Sequence, residues 1–261
     1  MSRHRFFLAA PLIDPRVGAV VVAPLSADDA RHAVRALRLR VAEEIDLAEP
    51  GGVVWRVRVA AVEGDVVTVE LLETLATVPE PDVTLVFGVL KGSKNDDVIE
   101  GAIEVGVGAL QPVLFERTVV RMDAAKCAER GDRWRRVAQA AAKQAKRSCI
   151  PLVADPVPGS ELRSLLRAFD TVLVAWEDAD GAGVASQLAH AQLAHAQTAS
   201  NARVAIVVGP EGGLSAGEVS AFEAAGALTC TLGPTILRAE TAAVVATALV
   251  VHELGGLGNA S

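Results

Sequence analysis

The stretch Ala205-Ile206-Val207-Val208-Gly209-Pro210-Glu211-Gly212-Gly213-Leu214-Ser215-Ala216-Gly217-Glu218 decides how this chain is read. An apolar run that can be buried on both faces ends in a tight glycine turn, and Ser215 with Glu218 forms a capping box that opens a helix. Strand, turn and helix in that order are the repeating unit of a parallel α/β sheet, whose ligands bind outside the carboxyl ends of the strands. The turn lacks both the Gly-Lys-Ser/Thr of a phosphate loop and the Gly-x-Gly-x-x-Gly dinucleotide fingerprint, which weighs against nucleoside triphosphates and nicotinamide cofactors. A second segment of the same kind follows: Thr231-Leu232-Gly233-Pro234-Thr235-Ile236-Leu237-Arg238-Ala239-Glu240-Thr241-Ala242. Another strand ends in Gly-Pro, an extended Ile-Leu-Arg follows, and a helix starts near Glu240 with acid at its positive end. Free backbone donors and acceptors in such loops suit a neutral purine and a ribose. On residue type alone, Arg238 reads equally as an ion-pair partner or a catalytic group.

Working outward, strands are expected at 83–90, 110–115, 171–176, 203–208 and 228–232, with helices at 96–105, 132–147, 184–197, 216–225 and 240–254. This alternation predicts a largely parallel sheet covered on both faces. The texture differs before a linker at 74–82 that contains Pro79 and Pro81. Residues 5–8 read as a first strand. Val53 to Val59 and Val66 to Leu71 alternate around Glu63-Gly64-Asp65, which predicts a hairpin in a small barrel. Ser26 with Asp29 resembles a capping box opening a helix over 27–39. Two domains result, 1–75 and 76–261. The repeat Leu188-Ala189-His190-Ala191-Gln192 and Leu193-Ala194-His195-Ala196-Gln197 sets its histidines about 140° apart on a helix, so they read as a solvated face and not as a metal site.

Composition narrows the function classes. The 261 residues carry 25 Lys+Arg against 32 Asp+Glu, a net charge of −7, which excludes a uniformly basic nucleic-acid coat. Aromatic residues are 3% with no Tyr, which argues against an RNA-binding sheet built on base stacking. Cys127, Cys149 and Cys230 offer neither a disulfide framework nor zinc spacing, so a reducing cytoplasm is the expected compartment. No apolar run approaches the roughly 18 residues of a membrane span. The charge is uneven along the chain: residues 31–40 hold four arginines and no acid, and residues 116–147 carry 10 basic against 4 acidic side chains. One island in each domain suggests a phosphate backbone as partner.

Val207–Gly213 and Leu232–Arg238 with Glu240-Thr241-Ala242 resemble the two C-terminal motifs of the RsmE family, SPOUT-class enzymes that methylate uridine N3 in 16S ribosomal RNA with S-adenosylmethionine. Arg5-Phe6-Phe7, His32 with Leu37-Arg38, Lys91, Glu104-Val105-Gly106-Val107, and Gln144 with Arg147 and Pro151 agree in order. The sequence departs from the family at Ala42-Glu43, Gly101, Ala140 and Ala145.

The resemblance implies a knotted C-terminal methyltransferase domain, an N-terminal PUA-like β-barrel and a homodimer. It makes Arg238, Glu240 and Arg5 the candidates for activation and uridine placement. Ala175, Trp176, Gly209, Pro210, Glu211, Gly212, Leu232, Gly233, Ile236, Leu237, Thr241 and Ala242 become candidate cofactor contacts. For Glu211 the reading as a brace of the glycine turn is preferred, and Trp176 reads equally as core. Arg31, His32, Arg35, Arg38, Arg40, Lys91, Arg117, Arg121 and Arg147 are candidate contacts to 16S rRNA or the small ribosomal subunit. The alternative is a non-catalytic RNA-binding assembly factor.

Overall fold

The computed structural model describes residues 3–77, 80–179, 181–195 and 202–258, with side chains for all of these except 193–195. The chain divides into two compact units: Met1–Val78 with Ala142–Ile150, and Pro79–Ala141 with Pro151–Ser261. Segment 142–150, expected in the C-terminal domain, thus counts with the N-terminal unit.

In the first unit β1 (Arg5–Phe7), β2 (Val20–Val22), β3 (Glu44–Ala48), β4 (Val54–Glu63) and β5 (Val66–Leu75) form one sheet in the order β1-β3-β4-β5-β2. β1 is parallel to β3 and the other pairs are antiparallel. Alternation sends Val57, Val59, Val67, Val69 and Leu71 into a core with Phe6, Ile45 and Leu47. Gly64, at φ +60°, leads the two-residue turn of the β4–β5 hairpin. The expected barrel is not closed by a strand ladder. Among the described residues the edge strands meet through the isolated bridge Leu8–Leu25, and the sheet has five strands and two edges.

Ser26 caps α1 (Ala27–Arg31), accepting the Asp29 N–H at 3.1 Å. The helix then widens into a π turn over His32–Ala36 and stops short of Leu39. Its end is a backbone closure: the Leu39 N–H donates to the Ala33 carbonyl at 3.1 Å, across Arg38 at a left-handed φ of +52° where glycine is usual. Arg5 pairs with Asp46 at 3.2 Å and donates to the carbonyls of Lys146 and Arg147, so it ties segment 142–150 to this sheet.

The second unit is built on β6 (Val83–Gly88), β7 (Ala109–Leu114), β8 (Leu152–Val153), β9 (Val157–Pro158), β10 (Thr171–Ala175), β11 (Val204–Val208) and β12 (Leu228–Cys230). Their order is β12-β10-β11-β6-β7-β8, with β9 also paired to β7, and every pair is parallel. β6 and β11 are buried along their whole length and show no alternation, as central parallel strands do. α2 (Lys94–Glu104), α5 (Val184–His195) and α7 (Ala239–Glu253) pack together, with α7 on β6 and β11. α4 (Gly159–Leu166) and α6 (Ala216–Glu223) bring Leu162 and Phe222 onto Val86, Val174 and Val207, one face of the alternating strands.

α3 (Ala124–Gln144) starts two turns earlier than the expected 132, because the Asp123 carboxylate accepts the Lys126 N–H at 2.9 Å and so caps it. Gly101 lets α2 approach α7: a Cβ there would lie 2.7 Å from Val244. His190 is exposed as expected of a solvated face, while the His195 side chain and Gln197 lie outside the described residues. No helix of the described residues is long and apolar enough to cross a membrane.

From β6 the chain crosses to β7 on one side, and from β11 it crosses through α6 to β12 on the other. The switch of direction falls between β6 and β11, where α/β sheets place their ligands. Gly88 closes this junction, since a Cβ on it would stand 2.3 Å from the Pro210 nitrogen. Gly88→Ala is expected to cost about 2 kcal/mol or more of stability, read as a lower urea midpoint. Gly217→Ala, in α6 with no clash around it, is expected to raise stability by up to about 1 kcal/mol.

Candidate functional site

At the carboxyl ends of β10, β11 and β12 the second unit holds a cleft of about 410 Å³. Its walls are residues 175–177 at the end of β10, 208–211 with 213 and 214 at the end of β11, and 231–240 with 242 from the loop after β12 into α7. Lys94, the first residue of α2, completes the lining.

The turn after β11 is closed by the Gly213 N–H donating to the Pro210 carbonyl at 2.8 Å, with Gly213 at φ +71°. Gly209 admits this fold-back, because a Cβ would sit 3.0 Å from the backbone of Gly213 and Leu214. Both halves of the Ser215/Glu218 capping box form, at 3.2 and 2.9 Å, and Glu218 also accepts the Glu116 N–H. Across the cleft, the Trp176 N–H donates to the Cys230 carbonyl at 3.1 Å and joins the ends of β10 and β12. The loop after β12 is held by the Thr231 N–H to the Ala182 carbonyl at 3.0 Å and by the Gly233 N–H to Thr231 Oγ1 at 3.1 Å. Beyond it Ile236 is 88% exposed, an apolar side chain left uncovered in the cleft lining.

Charge in the cleft comes from Glu177, Glu211 and Glu240 against Lys94 and Arg238. Arg238 occupies the N-cap position of α7 and is exposed, and its guanidinium has no hydrogen bond or ion pair among the described residues. Glu240 lies in the first turn of α7. Its Oε2 is shielded from solvent without a hydrogen bond among the described residues, 3.5 Å from Lys94 Nζ. Glu211 Oε1 accepts the Lys91 N–H at 3.1 Å and lies 3.5 Å from the same ammonium. Burial works to raise the Glu211 carboxyl, but the backbone N–H groups of Lys91 and Glu211 and the charge of Lys94 outweigh it, so it stays below its usual range. Burial pushes the Cys230 thiol up to about 12, which leaves it un-ionised at neutral pH.

Most of the cofactor candidates meet in this one cleft. Ala175, Trp176, Gly209, Pro210, Glu211, Leu232, Gly233, Ile236, Leu237 and Ala242 line it, together with Arg238 and Glu240. Gly212 and Thr241 do not line it. Gly212 is turned onto Arg117, whose guanidinium donates to its carbonyl at 3.2 Å. Arg5 lies in the first unit, with its guanidinium committed to Asp46 and two carbonyls. Lys94 and Glu177 escaped the sequence reading; Lys94 sits beside Lys91, but only the pairing of β6 with β11 brings it to Glu211.

Of the candidate RNA contacts, Arg31, His32, Arg35, Arg38 and Arg40 are exposed in the first unit, and Lys91, Arg117 and Arg121 in the second. Arg147 differs from them, with 7% exposure. On α3, Lys126, Arg130, Arg133 and Arg136 are exposed, while Trp134 is buried and packs 6.4 Å from Phe87. No cluster of three metal-ligating side chains occurs among the described residues.

A family model for an RNA methyltransferase domain matches residues 78–251. The ribosomal RNA small subunit methyltransferase E of Mycobacterium bovis is 33% identical over 89% of this chain and 86% of its own length. The protein of that name from Bacillus subtilis is 28% identical over 88% and 89%. The crystal structure of a ribosomal RNA small subunit methyltransferase E from Neisseria gonorrhoeae bound to S-adenosyl methionine is 27% identical. It superposes with a TM-score of 0.76 over 95% of this chain and 96% of that one.

The lowered Glu211 pKa fixes the sign of a pH dependence. The ionised, braced carboxylate contributes stability that is full above its unfolded pKa and is lost as pH falls through the folded value. The gap between wild type and Glu211→Gln in urea unfolding is therefore expected to be full at neutral pH and to close as pH falls below the ordinary carboxylate range. Because the group is partly solvated, the gap stays within about 1 kcal/mol.

Proposed function

The chain belongs to the ribosomal RNA small subunit methyltransferase E (RsmE) family, and on that premise we propose that it methylates N3 of a uridine in 16S ribosomal RNA, with S-adenosylmethionine as donor. The observation that carries the proposal is the single cleft in which both glycine-proline loops, Arg238 and Glu240 meet.

The lining suits this cofactor. Three carboxylates face a ligand bearing a sulfonium and an ammonium group, while Trp176, Leu232, Ile236 and Leu237 offer apolar surface to a purine. The tight turns at Gly209 and Gly233 leave backbone groups open to the ribose and base edges. When bound, the cofactor supplies an activated methyl group. The protein's task is then to orient the uracil and to manage the N3 proton, which must leave because N3 is protonated at neutral pH.

Glu240 is the proton acceptor in this reading, since its Oε2 has no hydrogen bond of its own. Arg238, always charged and with no partner for its guanidinium among the described residues, stabilises the negative charge that develops on the ring oxygens. Glu211, braced by the Lys91 N–H, holds the glycine turn. Arg5 acts at one remove, fixing segment 142–150 in the first unit.

The same reading takes the first unit as a PUA-like RNA-binding domain, the second as a knotted domain that acts in a homodimer, and the protein as cytoplasmic. The exposed cations Arg31, His32, Arg35, Arg38, Arg40, Lys91, Arg117 and Arg121, with the outer face of α3, contact phosphates. Arg147 supports the fold from within.

Mapping of methylated uridines in 16S rRNA from cells with and without the gene tests the proposal: one N3-methyluridine is expected to disappear, and an unchanged map refutes it. Arg238→Ala is expected to retain S-adenosylmethionine binding by calorimetry and to lose turnover by about 100-fold or more. Joint replacement of Arg121, Lys126 and Arg130 by Gln is expected to weaken RNA binding and flatten its salt dependence, with cofactor affinity unchanged.

A further inference from the structure

Lys94 stands where elementary electrostatics disfavours it. It opens α2, whose positive end repels a cation, and Ser93 before it supplies no side-chain cap. Its compensation comes from other segments of the sheet: the ammonium lies 3.5 Å from Glu211 Oε1 and 3.5 Å from Glu240 Oε2. One cation on the β6–α2 turn therefore serves a carboxylate from each of the two glycine-proline loops.

The turn that carries Lys94 is fixed by its own bonds. Asn95 is buried, accepts the Leu90 N–H and donates to the Leu90 carbonyl, both at 2.8 Å. The Lys91 N–H is bound to Glu211 at 3.1 Å. Glu240 has the opposite problem, because its Oε2 has neither solvent nor a hydrogen bond and Lys94 is the cation beside it. The lowered pKa of Glu211 registers the same ammonium, after burial and the two backbone N–H groups.

We propose that Lys94 is a positioning residue for methyl transfer, which holds the Glu240 carboxylate in the cleft wall where the N3 proton is taken up. The inference rests on the reading of Glu240 as proton acceptor. Without the ammonium, Glu211 and Glu240 confront each other as like charges with no cation between them. Glu240 then turns toward water and away from the site.

The test uses Lys94→Met, Lys94→Arg, Glu240→Gln and the double variant Lys94→Met/Glu240→Gln, assayed with S-adenosylmethionine and small-subunit RNA. Lys94→Met is expected to lower kcat about tenfold or more with the KM for RNA within about twofold, and Lys94→Arg to regain most of the loss. The double variant is expected to be no slower than Glu240→Gln alone, because Lys94 acts through Glu240. Losses that multiply in the double variant, or a wild-type kcat in Lys94→Met, overturn the proposal.

Urea unfolding of the wild type, Lys94→Met, Glu240→Gln and the double variant without cofactor gives a readout independent of turnover. Non-additive midpoints are expected, and strictly additive ones overturn the Lys94–Glu240 link. A wild-type protein that binds S-adenosylmethionine yet transfers no methyl group overturns the function proposed above instead, and the unfolding cycle still decides the link.

Discussion

Between the end of β6 and the turn after β11 there is no room for a side chain: Gly88 faces the Pro210 backbone at a distance no Cβ tolerates. The two strands are central, parallel and buried on both faces, so their ladders meet the backbone hydrogen-bonding needs along their length but not where they end. The close approach resolves the ends together. With Pro210 pressed onto Gly88, Glu211 falls within reach of the Lys91 N–H, and the β6–α2 turn and the glycine turn become one bonded unit. The capping box of α6 fixes the far side of that turn through Ser215 and Glu218. The cleft owes its shape on this side to a backbone packing contact between two strand ends.

The local signals were legible in the sequence, and the long-range ones were not. β6, β10 and β11 are largely apolar runs rich in β-branched residues, and α6 announces itself by Ser215 and Glu218. The two-residue strands β8 and β9 pair with β7 for reasons of register that no local pattern carries. α4 was hidden because it begins directly after Pro158 with Gly159, which reads as a loop. The barrel expectation came from a correctly placed hairpin, but alternation specifies which face is buried and not whether the outer strands meet.

The site divides the same way. Residues of the two glycine-proline loops came out of the sequence because each loop is contiguous. Lys94 did not, because its relation to Glu211 and Glu240 exists only once β11 has been laid beside β6. Arg5 illustrates the converse: its motif was visible, yet its guanidinium is spent on Asp46 and on the carbonyls that end α3's following turn. A net charge of −7 was similarly uninformative as a sum, since acid gathers in the sequence that lines the cleft and basic residues gather in 31–40 and 116–147.

That contrast in commitment separates Arg238 from the structural arginines. Arg5, Arg56, Arg133 and Arg135 each meet a carboxylate. Arg238 meets none among the described residues, and it sits at the positive end of α7, where a cation costs stability. Glu240, two residues on, occupies a place the helix favours for an anion, yet one of its oxygens is left without a donor. A fold selected for stability alone would have no use for this pair. A uracil imide losing its N3 proton has use for both, because the proton needs an acceptor of one sign and the resulting ring anion a donor of the other. A guanidinium cannot take the proton and a carboxylate cannot steady the anion, so the two tasks require two side chains. Carrying both at the head of one helix lets a single loop deliver them to the same cleft.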